Sequence, residues 1–103
     1  MSFGLPEPTI SIIRAILERY PSVDQAIIYG SRAKGTYRRG SDIDLTLIGS
    51  HLSHEDLLHI MGDLDESAIP HTVDLSIFDD IHDRAVRDHI KRRGQVFYQC
   101  IRS

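Results

Sequence analysis

The segment of residues 42–48 constrains the fold most strongly. Apolar and polar residues alternate along it through Leu47: Ile43, Leu45 and Leu47 in one set, Asp42, Asp44 and Thr46 in the other. Because successive side chains of a strand point to opposite faces of a sheet, this pattern predicts a strand with one apolar and one polar face. Asp42 and Asp44 then leave from the same face, with their Cα atoms about 6.5–7 Å apart.

The remaining patterns predict three more strands and three helices, in one domain that spans residues 1–103. Helices follow from apolar residues three or four positions apart, and strands follow from alternation or short apolar runs. The predicted helices cover residues 10–20, 54–65 and 79 or 80 to 93, and the further strands cover 25–29, 71–78 and 96–98. Ser53 and Asp56 are spaced as a capping box, and Gly94 is placed to end the last helix. Two prolines near the start predict a flexible tail over residues 1–7.

Composition and charge exclude several classes of protein. The 103 residues carry a net charge of -3, so a broad surface for nucleic acid is not expected. Cys100 is the only cysteine, which excludes an intramolecular disulfide framework. No apolar run approaches the roughly 20 residues needed to cross a bilayer, and the first residues lack the pattern of a secretory leader. We therefore expect a soluble, cytoplasmic protein without a membrane partner.

A turn of small residues with nearby cations follows the predicted strand 25–29. Gly30 permits a close approach of the backbone, and Ser31 offers a hydroxyl and an N–H group where a phosphate could bind at the start of a short helix. Arg32 and Lys34 come next along the chain. Either cation could add charge at a phosphate site, or could simply be solvated.

A third acid extends the pair of carboxylates. Asp74 lies on the polar face of the predicted strand 71–78 and could reach the same ions as Asp42 and Asp44 if the two strands are neighbours. Magnesium binds one or two carboxylates together with substrate phosphates. Two such ions about 3.5–4 Å apart can stabilise both the attacking and the leaving oxygen of a phosphoryl transfer. A single outward acid on a strand is also a common solvated feature, so the pattern alone leaves the role of Asp74 open.

The spacing of Gly30-Ser31, ten intervening residues and Asp42-Ile43-Asp44 resembles the signature of the DNA polymerase β-like nucleotidyltransferase superfamily. In its small size the chain is similar to the minimal nucleotidyltransferase (MNT) branch. The resemblance covers nearly the whole chain. It implies an α/β (α+β) fold, in which helices pack mainly on one face of a small mixed β-sheet and the active centre opens at the other face.

The same resemblance implies roles for the site residues. Asp42 and Asp44 would hold two Mg²⁺ ions, and Asp74 would ligate the ion that activates the acceptor hydroxyl. Ser31, beside Gly30, would contact the β and γ phosphates of ATP.

Proteins of the MNT branch are typically antitoxins of HEPN-domain ribonuclease toxins, and they transfer AMP from ATP to a tyrosine of the toxin. The resemblance implies this activity and this partner here. Three alternatives stay open: transfer to a small hydroxylated molecule such as an aminoglycoside, neutralisation of a partner by contact alone, or ATP sensing without transfer. Enzymes of the first kind generally carry an additional helical domain. The apolar face of a helix would also allow two copies of the chain to pair.

Overall fold

Four strands and three helices make up the described part of the chain, residues 3–30 and 43–100 of a computed structural model. In chain order the elements are α1 (Glu7–Glu18), β1 (Gln25–Tyr29), β2 (Ile43–Ile48), α2 (His54–Glu66), β3 (Val73–Ile77), a 3-10 turn (Phe78–Asp80), α3 (Arg84–Arg93) and β4 (Gln95–Gln99). The predicted order of helices and strands is confirmed. Within these residues, none of the helices combines the length and the apolar composition that crossing a bilayer requires.

The N-terminal boundary differs from the prediction. The helix expected from residue 10 begins at Glu7, because proline is accepted in the first turn of a helix, where the N–H groups have no partner within the helix. Among the residues that we expected in a flexible tail, Leu5 is fully buried, and the ring of Phe3 lies 5.6 Å from that of Phe97 between centroids. The chain ahead of α1 therefore contributes to the core.

The start of the last helix also differs from the prediction. Residues 78–80 form a 3-10 turn, and α3 begins only at Arg84. Asp83 sets this boundary, because its carboxylate accepts hydrogen bonds from the N–H groups of Ala85 and Val86. The two other predicted helix signals are confirmed: Ser53 and Asp56 form a capping box at α2, and Gly94 caps α3.

The four strands form one mixed sheet in the order β3-β2-β1-β4. The strand β1 pairs with β2 and with β4 in antiparallel directions, whereas β2 and β3 are parallel. A parallel pair needs a crossover connection, and the segment that contains α2 provides it. This arrangement confirms the mixed sheet that the resemblance implied.

The two faces of the sheet differ in what covers them. One face packs against α1 and α2, and the core contains residues from both helices together with Ile28, Leu45 and Phe97 of the sheet. The opposite face carries the polar residues of β2 and β3 and meets α3, whose His89 lies edge-on against Tyr29. Two of the three helices thus lie on the apolar face.

Candidate active site

Two of the three predicted carboxylates lie side by side on the polar face. Asp44 of β2 and Asp74 of β3 are direct partners in the parallel register, so their Cα atoms are neighbours across the ladder. Adjacent strands are about 4.8 Å apart, and both side chains leave from the same face. Asp74 is exposed and Asp44 is half-buried. The sequence left open whether the two strands were neighbours, and the register places these two acids together.

The backbone of Gly30 touches the carboxylate of Asp44. Gly30 follows the last residue of β1, has a φ of +75°, and would bring a Cβ atom to 2.5 Å from Oδ2 of Asp44. Both the positive φ and the close approach require glycine at this position. The predicted phosphate turn therefore begins directly beside one member of the acid pair.

The other predicted site residues fall outside the described part of the chain. These are Ser31, Arg32, Lys34 and Asp42, and their contributions stay predictions. The described residues bring together Gly30, Asp44 and Asp74 at one end of three neighbouring strands.

Tyr29 is a further residue of this site that the sequence analysis did not select. It is the antiparallel partner of Asp44. On the same face of the sheet, the Ser76 hydroxyl of β3 donates to Oγ1 of Thr46 on β2, at 3.1 Å. Burial raises the pKa of Tyr29, the hydroxyl of Ser76 opposes this shift, and the charges of Asp44 and Asp74 raise the pKa further. The phenol therefore keeps its proton to a higher pH than an exposed tyrosine.

The ring of Tyr29 contacts the ring of His89, a residue of α3. The centroid of the His89 ring lies 6.5 Å from that of Tyr29, and the two ring planes meet at 73°. Such an edge-to-face contact is a favourable arrangement of two aromatic rings. The alternation of strand β1 places Tyr29 on one face, but only the register with β2 shows that this is the face of Asp44.

The donor set suits a hard divalent cation. Asp44 and Asp74 offer carboxylate oxygens on adjacent strands, and the exposure of Asp74 leaves room for a ligand from outside the chain. Magnesium prefers such oxygen ligands and usually completes its shell with water and substrate phosphates. These residues therefore fit a magnesium–nucleotide complex. Without a bound cation, repulsion between the two charges would disfavour such a pair of carboxylates.

Comparison with known proteins identifies similar sequences and folds. Residues 12–101 match the model of the family described as Polymerase beta, Nucleotidyltransferase. No curated protein matches the sequence significantly.

Several solved structures have a similar fold. A chain from a crystal structure of a toxin–antitoxin with AMP-PNP has a TM-score of 0.70 at 22% identity, over 93% of this chain and 75% of that one. A chain from the complex of a tri-AMPylated Shewanella oneidensis HEPN toxin with an MNT antitoxin has a TM-score of 0.66 at 16% identity, over 91% and 72%. A nucleotidyltransferase structure from Sulfolobus solfataricus, described as putative, has a TM-score of 0.52 at 16% identity, over 93% and 91%. At these identities the likeness concerns the fold.

Proposed function

The chain belongs to the polymerase β nucleotidyltransferase family, and from this membership we propose that it transfers AMP from ATP to a tyrosine hydroxyl of a HEPN-domain toxin. In this role it acts as the antitoxin. The observation that carries the proposal is the register of Asp44 with Asp74, directly beside the Gly30 turn. This register supports the proposal because it would put a cation held by the two acids next to the turn proposed to bind the phosphates.

Each residue of the site has a distinct task in the proposed transfer. Asp42, Asp44 and Asp74 hold two Mg²⁺ ions, and the turn of Gly30 and Ser31 binds the β and γ phosphates. When bound, the ions stabilise the charge on the attacking oxygen and on the leaving pyrophosphate. The cations of Arg32 and Lys34 would strengthen the hold on the phosphates.

The proton of the acceptor hydroxyl moves to Asp74 as the new bond forms. The acceptor oxygen bonds to the α-phosphorus, and the bond from that phosphorus to the bridging oxygen of pyrophosphate breaks. Asp74 is the exposed member of the described pair, so an acceptor that arrives from outside the chain meets it first. A carboxylate within hydrogen-bond reach of the hydroxyl is a competent general base.

Two observations support a protein acceptor. Asp74 is exposed on the polar face of the described sheet, so a residue of another protein could reach it. Two of the similar folds come from solved structures of toxin–antitoxin complexes, one with AMP-PNP and one with a tri-AMPylated HEPN toxin. A toxin protein is therefore the acceptor to test here.

The test is transfer of label from ATP to protein. The chain is incubated with Mg²⁺, α-labelled ATP and a lysate of its source cells, and the Asp44→Asn and Asp74→Asn variants are compared with the wild type. Asp65→Asn is the matched control, because Asp65 is an exposed acid on α2, the helix on the apolar face of the sheet. A parallel reaction with γ-labelled ATP separates nucleotidyl transfer from kinase activity.

We expect one labelled protein with α-labelled ATP and none with γ-labelled ATP. Wild type and Asp65→Asn should give equal labelling, and the two site variants should give none. Label in a small molecule alone would contradict the protein acceptor. Equal labelling by wild type and both site variants would contradict the assignment of the carboxylates.

A further inference from the structure

The two strands that carry the acids have nearly the same pattern of residues. Each has three apolar residues at alternate positions: Ile43, Leu45 and Leu47 of β2, and Val73, Leu75 and Ile77 of β3. A slip of β3 by two residues would keep its apolar side chains on the same face, because side chains alternate along a strand with a period of two. The backbone groups of the ladder repeat along each strand and could pair again after such a slip. Apolar burial and the ladder therefore select the face of β3 but not its register.

The register decides whether the two acids meet. In the observed register Asp74 is the direct partner of Asp44. A slip of two residues in one direction would bring Asp74 level with Thr46, and a slip in the other direction would carry it past Ile43, beyond the described beginning of β2. Either slip would displace one carboxylate from the other by about 6.6 Å along the strands.

Repulsion between the acids works against the observed register. Like charges directly opposite each other destabilise a sheet, so a slip that separates Asp44 from Asp74 would relieve the repulsion. Within the described residues, β3 is the terminal strand of the order β3-β2-β1-β4, and its ladder runs to β2. An interaction specific to the observed register is therefore needed to keep the acids together before a cation binds.

A hydrogen bond between two side chains is specific to this register. Ser76 and Thr46 are direct partners, each two residues beyond an acid of the pair and on the same face. The Ser76 hydroxyl donates to Oγ1 of Thr46 at 3.1 Å. Because Thr46 is fully buried, a hydrogen bond to its hydroxyl has to come from within the protein. After a slip of two residues Ser76 would face Asp44 or Ile48, and this bond would be lost.

We propose that Ser76 is a positioning residue, whose hydrogen bond to Thr46 holds β3 in the register that places Asp74 opposite Asp44. The inference rests on the proposed function, since it takes the two carboxylates to bind metal together. Ser76 acts on the metal site in this way without ligating the metal. The loss of a group that orients metal ligands commonly lowers metal affinity.

Changes at both ends of the hydrogen bond test the inference. Ser76→Ala removes the donor, Thr46→Val replaces the acceptor by a group of similar shape, and Ser76→Thr keeps a hydroxyl at position 76. The double variant Ser76→Ala/Thr46→Val shows whether the two groups act as a unit. Ser22→Ala is the matched control, because it removes another half-buried serine hydroxyl, which donates to Asp56 at 2.9 Å.

Two measurements are made on each variant. Binding of Mn²⁺ in the presence of AMP-PNP is followed by electron paramagnetic resonance, which needs neither an acceptor nor turnover. In the metal-free protein, nuclear Overhauser effects between Leu45 and Leu75, which are partners in the observed register, report the register itself. We expect each single loss of the hydrogen bond to weaken Mn²⁺ binding about tenfold. The Overhauser effects between Leu45 and Leu75 should weaken, and new ones should join Leu75 to Ile43 or Leu47.

The controls define the result. Ser22→Ala and Ser76→Thr should match the wild type in both measurements, and the double variant should lose no more affinity than the stronger single one. Unchanged Mn²⁺ binding in Ser76→Ala, with a wild type that binds, would overturn the inference alone. Weaker binding with the Overhauser effects of the wild type would also overturn it, because the register would not be the cause. No binding of Mn²⁺ by the wild type would overturn the proposed function, and the inference with it.

Discussion

Asp44 and Leu45 are adjacent on β2, yet they lie in very different surroundings. Leu45 is fully buried on the face that packs against α1 and α2. Asp44 is half-buried on the opposite face, beside Gly30 and level with Asp74. One strand therefore contributes alternately to the core and to the candidate site. Substitutions at these two neighbouring positions should therefore affect different properties: transfer activity at Asp44 and stability at Leu45.

The apolar face supplies most of the stability in this comparison. Burial of apolar surface contributes about 25 cal/mol per Å², and α1 alone adds four buried apolar residues to this face: Ile10, Ile13, Ile16 and Leu17. The polar face works in the opposite sense. Two like charges directly opposite each other in a sheet destabilise it until a cation or a proton neutralises them. A site of this kind is kept for function at some cost in stability.

The largest effect should follow the change Asp44→Asn. The amide keeps the shape of the side chain but loses the charge that a cation needs, so transfer should fall on the order of a thousandfold, or about 4 kcal/mol of transition-state stabilisation. The midpoint of thermal unfolding should stay the same or rise, because the repulsion with Asp74 is removed. Single-turnover rates and calorimetry on the same sample measure both quantities.

If Asp44→Asn lost stability as well as activity, the two faces of the sheet would not have the separate roles described above. It would mean that Asp44 has a structural task in addition to its proposed task in metal binding. Asp65→Asn on α2 is the reference, since it removes an exposed acid outside the site and should change neither quantity.

The second effect concerns the other face of the same strand. Leu45→Ala should lower the free energy of unfolding by about 3 kcal/mol, because a fully buried leucine leaves a cavity when it is truncated. The rate per folded molecule should stay within about twofold of the wild type, since Leu45 points away from the acids. Denaturant titration gives the first value, and an assay corrected for the folded fraction gives the second. A rate that falls as far as in Asp44→Asn would show that the faces are not independent.

The third effect concerns Gly30, whose backbone lies against the carboxylate of Asp44. Gly30→Ala places a methyl group against the carboxylate of Asp44 and forces alanine into a positive φ. We expect a loss of about 1–3 kcal/mol in stability from the strained backbone and a fall in transfer from the displaced carboxylate. Unfolding and rates are measured as before. Gly62→Ala on α2 is the matched control, because a Cβ atom there meets nothing within 4 Å and should be neutral or stabilising.

The elements of the fold were predictable where local chemistry decides them. The boundaries of β1 were predicted correctly at both ends, since a short apolar run stops at Gly30. The capping box of Ser53 and Asp56 was also predicted, because both hydrogen bonds join residues three apart in sequence. The beginning of α3 was missed, since Asp79, Asp80 and Asp83 are all acceptable caps and only the 3-10 turn ahead of Asp83 selects among them.

The site was predictable only in part. The acids Asp44 and Asp74 could be named from their strands, because alternation decides the face on which each side chain lies. That the two are direct partners depends on the pairing of β2 with β3 across 30 residues of sequence, which no local pattern encodes. Tyr29 was missed for the same reason, since its place beside Asp44 follows from the register of β1 with β2.

The smallest expected effect concerns Asp56, an acid that stabilises the fold and is not one of the acids of the candidate site. Asp56 accepts hydrogen bonds from the Ser22 hydroxyl at 2.9 Å and from the Ser53 N–H at 3.2 Å. The Ser22 bond foremost, and then the backbone bond from Ser53, lower the pKa of Asp56 from its ordinary 3.8. At pH values above this ordinary pKa, the charged carboxylate of Asp56 therefore contributes to stability. The contribution is lost as the pH falls through the lower pKa of the folded state.

Ser22→Ala should accordingly reduce the unfolding temperature by a few degrees at neutral pH and by less in acid, while leaving transfer unchanged. Thermal unfolding of wild type and variant between about pH 2 and pH 7 measures the difference, because the Asp56 carboxylate is protonated at the acid end in both folded and unfolded chains. A difference that stays constant across this range would mean that Ser22 stabilises the fold without the charge of Asp56. A loss of transfer would mean that the turn before β1, on which Ser22 lies, also controls the position of Gly30 at the far end of the strand.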